Sequence, residues 1–535
     1  MRRMCDIDKY GRCQWRSVVE WYEMLSDFQK KRLEKMKFSG ILAYGFLEIQ
    51  WRPLYTLAQK WDPRTNTFVF NGFEMTITLE DVARLFDLKI YGKPVLGTSN
   101  YNLRGKSSKL LGMTESEFES VVGFKGKSTS IIVAALQHKW QHAKHDVPSQ
   151  EADQALRSFI IYLFGLCLFS DNSGSRISWR YVQFLEDLDQ VHNYAWGAAV
   201  LAHLYSQLER LKSGVASVGG FWLLIQFWMW EHIPSIRPTM DRPFPEVQPL
   251  HARWRGISFK DYNDPDASKS IILNLQIDEV RFRPYNVRKE QDCNIVKALE
   301  LSSRDIWLFC MNEVELQHGS RVLMQCGLGQ SIPLPPQLYT RVRNKTAFGA
   351  KVDWQSLFRN ELNNWSCQGE MTIVYDGEGF APGYREQYWD VVHPRELESS
   401  LIEWPSHRSP IAAARDSSPL SPSAHRETCP HPSSSTNEHH VPSSSSLPSP
   451  TPIPAEEQSR WEICSKQDQE HTDKEIRSKR GHEHAETAGQ CPILNGEDRL
   501  LVAINTLVSH IAILTRKVDT LNQNLSKSKR HKHDD

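Results

Sequence analysis

His138, His142 and His145 in LQHKWQHAKHD are spaced four and three apart, so on one helix they share a face where two imidazoles can grip a metal ion. A zinc hydrolase also needs a glutamate directly after the first histidine. Lys139 stands there, leaving no carboxylate to activate water, and a solvated, partly protonated helix surface is the better expectation. Gly105-Lys106-Ser107 and Gly126-Lys127-Ser128 end like a phosphate loop. The earlier glycine such a loop requires falls at Asn100 and Val121, so both read as ordinary loop residues. Carboxylates gather at Glu80-Asp81 and at Glu186, Asp187 and Asp189, the residue type that a two-metal nuclease uses. Asp81, however, is in capping register with Thr78, and Asp187 and Asp189 precede a helix whose positive end favours acids without any metal. No Ser-His-Asp or Cys-His signature stands out among 20 histidines and 10 cysteines. The expectation is no catalytic residue, no cofactor and no metal ligand.

The elements around these residues are legible. Trp15, Val18, Val19, Tyr22, Leu25 and Phe28 repeat with helical spacing, and Leu33 and Met36 continue that face up to Gly40. Phe68 to Phe70, the turn dipeptide Asn71-Gly72 and Met75 to Thr78 predict a hairpin. Thr78 and Asp81 then open a helix with Val82, Leu85, Phe86 and Leu88 on its apolar face, ended by Gly92 and Pro94. Further helices are predicted after Pro148-Ser149, over Tyr194 to Lys212 and over Val218 to His232, the last apolar on most sides. Ile306 to Met311 reads as a strand, and Ser320 as the cap of a short helix closed by Gly327 and Gly329. The expected fold class is mainly α: a large helical globular domain with small β-hairpin elements, then a disordered linker and a C-terminal coiled-coil helix.

Lys plus Arg and Asp plus Glu both total 64 in 535 residues, so no global field draws the chain to nucleic acid or an anionic membrane. The scattered cysteines contain no Cys-x-x-Cys pair, which excludes a zinc ribbon and fits a reducing compartment. Its longest apolar runs fall well short of the roughly 20 residues that cross a bilayer, so no membrane partner is expected. Beyond Trp404 the text turns Ser- and Pro-rich, with too little apolar surface to offset the entropy of ordering. Leu500, Ile504, Leu507, Ile511, Leu514, Val518, Leu521 and Leu525 then alternate steps of four and three, a coiled-coil seam suited to self-association or a partner helix. Lys527, Lys529, Arg530 and Lys532 make a basic tail that reads either as a nuclear-import signal or as a solvated terminus.

WDPRTNTFVFNGFEMTITLEDVARLFDLKIYGKPVLG (61–97), FLEDLDQVHNYAWGAAVLAHLYSQL (184–208), GGFWLLIQFWMWEHIP (219–234), RVLMQCGLGQSIP (321–333) and YREQYWDVVHP (384–394) occur in the order of a known family. Together they resemble the plant mobile domain, a transposon-associated and sometimes aminotransferase-like family whose host members include MAINTENANCE OF MERISTEMS-like nuclear proteins and long forms of a plant protein phosphatase. The resemblance implies a domain over residues 38–395, preceded by an N-terminal helix region (1–37) and followed by a linker (396–495), the coiled coil (496–526) and the basic tail (527–535). Its motif residues are Trp61, Thr78, Asp81, Tyr194, Trp196 and Gly197, expected to be structural. Where the family often carries Trp-x-Pro-Tyr, this chain reads Arg281-Phe282-Arg283-Pro284-Tyr285. No lysine with a phosphate cup supports pyridoxal chemistry. The expected function is that of a nuclear, non-enzymatic interaction or scaffold protein, and the resemblance implies a role in transcriptional or transposon silencing, genome maintenance or meristem development. Phosphatase-type and chromatin-associated proteins are its implied partners, and direct nucleic-acid contact through local basic patches stays open without specific support. The alternatives are a transposon-derived metal-dependent nuclease and a protein still serving a mobile element.

Overall fold

A computed structural model describes residues 12–98, 103–122, 130–143, 145–215, 217–239, 247–257, 263–285, 292–336 and 353–394. The second Gly-Lys-Ser, the linker, the coiled-coil seam from Leu500 to Leu525 and the basic tail lie outside the described residues. What is described is mainly helical with small antiparallel β pieces, as the periodicities require.

The predicted N-terminal helix is divided into α1 (Trp15–Met24) and α2 (Asp27–Lys35). Ser26 breaks it: its hydroxyl accepts from the Gln29 amide while Gln29 returns a carbonyl to the Ser26 N–H, so a capping box restarts the helix. After α3 (Trp51–Gln59) come β1 (Trp61–Asp62), β2 (Thr67–Val69) and β3 (Glu74–Met75). The hairpin is present as predicted, with Gly72 at φ 84 in its turn, and Trp61 adds a third strand paired with Phe68. Next is α4 (Leu79–Phe86), which ends earlier than expected because Asp87 adopts the left-handed conformation at φ 53. Every residue of α4 is buried, where amphipathic spacing suggested one apolar face. The charged positions of α4 must therefore find partners inside the protein.

The next elements are α5 (Leu103–Leu110), α6 (Glu115–Val122), β4 (Ser130–Ile132), α7 (Val133–Trp140), α8 (Gln150–Leu163) and β5 (Arg176–Ser178), with β4 and β5 paired antiparallel. Gly105-Lys106-Ser107 lies within α5, a correction to the loop reading. Because α7 stops at Trp140, His142 and His145 fall beyond its end, and the three histidines do not share a helix face. Ser149 caps α8 through the Ala152 amide.

Then follow α9 (Trp196–Lys212), α10 (Trp222–His232), α11 (Pro265–Asn274) and α12 (Cys293–Ser302). All eleven residues of α10 are buried, so it is the central rod that its ring of aromatics requires. β6 (Asp305–Cys310) and β7 (Glu313–His318) form a second hairpin. Ser320 does not cap a helix as predicted. It sits inside a 3-10 turn, and its N–H and hydroxyl both donate to Asp305. No described helix is long and apolar enough to cross a membrane.

α9 is held to the body by Trp196 and Gly197. The Trp196 indole is 1% exposed, touches Phe164 at 4.9 Å between centroids and donates to the Val191 carbonyl at 2.8 Å. A Cβ on Gly197 would stand 2.8 Å from Ile90 Cγ2 and 3.1 Å from the Lys89 carbonyl oxygen, so only glycine admits this approach. Tyr194 packs edge-on to Phe184, and Trp61 to Phe68.

Candidate functional site

Thr78 and Asp81 form the capping box that the sequence predicts at the start of α4. Asp81 Oδ2 accepts from the Thr78 N–H (2.7 Å) and hydroxyl (2.8 Å). Its second oxygen reaches further. Asp81 Oδ1 accepts from the Tyr285 hydroxyl (2.6 Å) and meets His232 Nε2 at 3.0 Å. The other His232 nitrogen faces the Arg281 carbonyl oxygen at 2.7 Å. Four groups therefore converge on the carboxylate of Asp81, a residue that is 1% exposed as a whole. Burial, and then the Asp81 charge, hold the Tyr285 phenol well above its ordinary pKa, so it remains a donor.

This centre ties separated stretches of the chain together. Asp81 belongs to the first block and His232 to the third, while Tyr285 comes from the stretch that departs from Trp-x-Pro-Tyr. Tyr285 of the Pro-Tyr pair donates to Asp81. Phe282, at the tryptophan position, packs edge-on to Phe73 at 5.9 Å. Beside the centre, Glu80 accepts from Arg84 at 2.7 Å, and Arg84 lies over the Tyr285 ring. Burial raises the Glu80 pKa against the pull of Arg84. On α10, Glu231 accepts from Arg253 (2.9 Å) and from the Trp254 indole (2.8 Å).

A second carboxylate, Glu74 on β3, accepts from Tyr388 and Thr67 and meets His393 Nε2 at 2.6 Å. Burial opposes its charge, but His393 and Arg321 outweigh burial and hold the carboxyl below its ordinary range. Arg321 in turn donates to Tyr388. The fourth and fifth sequence blocks are thereby tied to the first.

A third grouping lies where α9 meets the β6–β7 hairpin. His203 Nδ1 is 2.6 Å from Glu313, His203 Nε2 is 2.9 Å from the Ser170 carbonyl oxygen, and the Tyr181 hydroxyl is 3.1 Å from Cys310 Sγ. Burial works to lower the His203 pKa, yet Glu313 and the Ser170 carbonyl together hold it above the ordinary value.

The acids weighed for two-metal chemistry do not converge. Asp81 is enclosed as described, whereas Asp187 caps a surface 3-10 turn through the Asp189 amide (2.9 Å) and Glu186 pairs with Lys106. Trp61, Tyr194, Trp196 and Gly197 occupy packing positions. Sequence reasoning missed His232, Tyr285, His203, Cys310, Glu313, Glu74 and His393. For His232 a signal existed, because Gln226, Glu231 and His232 interrupt a helix otherwise built of apolar residues, and polar groups buried in such a rod require partners.

Comparison with known proteins finds relatives over the stretch that holds these blocks. Three Arabidopsis thaliana proteins are similar to the chain: Protein MAIN-LIKE 2 at 27% identity over 67% of this chain, Protein MAINTENANCE OF MERISTEMS at 29% over 67%, and Serine/threonine-protein phosphatase 7 long form homolog at 25% over 67%. Measured on the relatives' own lengths, the match spans 53%, 75% and 28% respectively. No solved structure matches the chain. The plant mobile domain family model matches residues 38–392, which take in Asp81, His232, Tyr285, Glu74 and His203, and the chain belongs to the plant mobile domain family.

Proposed function

We propose that this chain is a non-enzymatic interaction protein of the nucleus, serving transcriptional or transposon silencing, genome maintenance or meristem development. The observation that carries the reading is the use of Asp81: both oxygens are taken by Thr78, Tyr285 and His232 within a closed interior. An acid so engaged coordinates the packing of three segments and has no lone pair aimed at a substrate. Similarity to a protein named for meristem maintenance supports the developmental part of the reading, and similarity to one named as a phosphatase long form supports phosphatase-type partners. The seam from Leu500 to Leu525 supplies self-association, and Lys527, Lys529, Arg530 and Lys532 supply nuclear import.

The test is incubation of the purified full chain with labelled DNA and magnesium or manganese. Intact DNA is the expected result. Cleavage abolished by Asp187→Asn would replace the reading with that of a transposon-derived nuclease. Sedimentation of the full chain beside a version ending at residue 495 checks assembly, with a smaller mass per particle expected for the shortened chain.

A further inference from the structure

Cys310 and Glu313 close the β6–β7 hairpin as its last paired residues, joined by Met311 at φ 58 and Asn312. Directly paired residues of an antiparallel hairpin present their side chains on the same face, so thiol and carboxylate project together. His203, from α9, meets them there. The Cys310 sulfur, a His203 ring nitrogen and a Glu313 carboxylate oxygen all lie within 4.8 Å of one another. We propose that His203, Cys310 and Glu313 form a binding site for one divalent transition-metal ion of the zinc class.

Three features beyond proximity support this site. His203 Nε2 faces the Ser170 carbonyl oxygen at 2.9 Å, and a hydrogen bond there fixes a ligating imidazole with its Nδ1 turned to the metal. That carbonyl is itself rigid: it accepts from Gly220 N at 3.0 Å, and a Cβ on Gly219 would lie 1.7 Å from it, so the Gly-Gly pair is needed where the backbone crosses. The Tyr181 hydroxyl stands 3.1 Å from Cys310 Sγ, placed to donate to a thiolate. The third feature is access. The Glu313 side chain is 27% exposed while that of His203 is 7% exposed and Cys310 is buried, giving a ligand set open on its carboxylate side.

A soft sulfur with a borderline nitrogen and a hard oxygen selects zinc over magnesium or calcium. Tetrahedral zinc, with bonds of about 2.0 to 2.3 Å, separates its ligands by roughly 3.3 to 3.7 Å. For an ion to fit, the His203–Glu313 contact of 2.6 Å opens and the sulfur draws in. Binding requires Cys310 Sγ and His203 Nδ1 to be free of protons, and those they carry pass to solvent. The ion is left with a thiolate, a neutral imidazole, a carboxylate and one open position. This inference stands apart from the interaction reading, and either can fail while the other holds.

The test is titration of the chelator-stripped full chain with Co2+, followed by displacement with Zn2+. One equivalent is expected to give a thiolate-to-cobalt charge-transfer band that Zn2+ removes. Cys310→Ser should abolish the band and Glu313→Gln should weaken binding at least about tenfold, whereas Cys326→Ser should change neither. Zn2+ should also raise the melting temperature of the wild type more than that of Glu313→Gln, which decides the matter if Cys310→Ser does not fold. No saturable band at one equivalent, a band that survives Cys310→Ser, or equal Zn2+ effects on both melting temperatures would overturn the site.

Discussion

Asp81 and Glu313 are both carboxylates in contact with a histidine and close to a tyrosine, yet the Asp81 side chain is 2% exposed and that of Glu313 is 27% exposed. At Asp81 the chain supplies three donors and a histidine nitrogen, and the carboxylate joins α4, α10 and the stretch at Tyr285. At Glu313 the same chemistry sits on a hairpin tip with a thiol beside it. Enclosure turns a polar cluster into cohesion, and partial exposure leaves it able to exchange partners. A histidine, a carboxylate and a tyrosine in contact therefore do not define a site until the surrounding packing is known.

The largest expected effect tests that difference directly. Asp81→Ala leaves His232 and Tyr285 buried without their acceptor and should cost about 3 to 5 kcal/mol in urea unfolding. Glu313→Ala, whose side chain reaches water, should cost less, about 1 to 3 kcal/mol. Equal losses would erase the distinction between the two centres. A second test uses a buried imidazole that has no carboxylate partner. His251 is held by burial at about 4, below its ordinary 6.5, with Nδ1 donating to the Leu85 carbonyl at 2.6 Å. The unfolded chain therefore takes up a proton between these values that the folded chain refuses, and stability falls as pH drops from 6.5 towards about 4. The loss reaches roughly 3 kcal/mol, and His251→Gln should flatten it in denaturation curves across that range. Glu74 acts at lower pH. Its depressed carboxyl stabilises the fold above the ordinary carboxylate value and ceases to do so as pH falls through the folded value.

Smaller effects sharpen the boundary between packing and surface. Gly197→Ala places a methyl against Ile90, Val82 and the Lys89 carbonyl and should cost about 1 to 3 kcal/mol by thermal melting. Asp187→Asn, at an exposed cap where asparagine also serves, should change the melting temperature little, with a free-energy effect of only about a few tenths of a kcal/mol. A large loss there would mean that the outer acids have a structural or ionic role which their geometry does not reveal.

Local chemistry made several elements readable in advance. Asn71-Gly72 specifies its turn, Thr78 and Asp81 their cap, Ser149 the start of α8, and the aromatic ring of α10 its central position, because each depends on residues a few places apart. The break at Ser26 was hidden because the apolar face continues across it from α1 to α2, while the capping box that divides them depends on the polar side chains of Ser26 and Gln29.

The polar centres were illegible for a different reason. His232 and Asp81 are separated by 151 residues, Tyr285 and Asp81 by 204, and His203 and Glu313 by 110, and no spacing rule spans such distances. By itself the sequence determined a mainly helical family fold, its caps and its turns, since propensity and periodicity act over one or two turns of chain. Which carboxylate is sealed and which stays within reach of solvent depends on packing between distant segments, because desolvation is set by everything packed around a group and not by its neighbours in the chain.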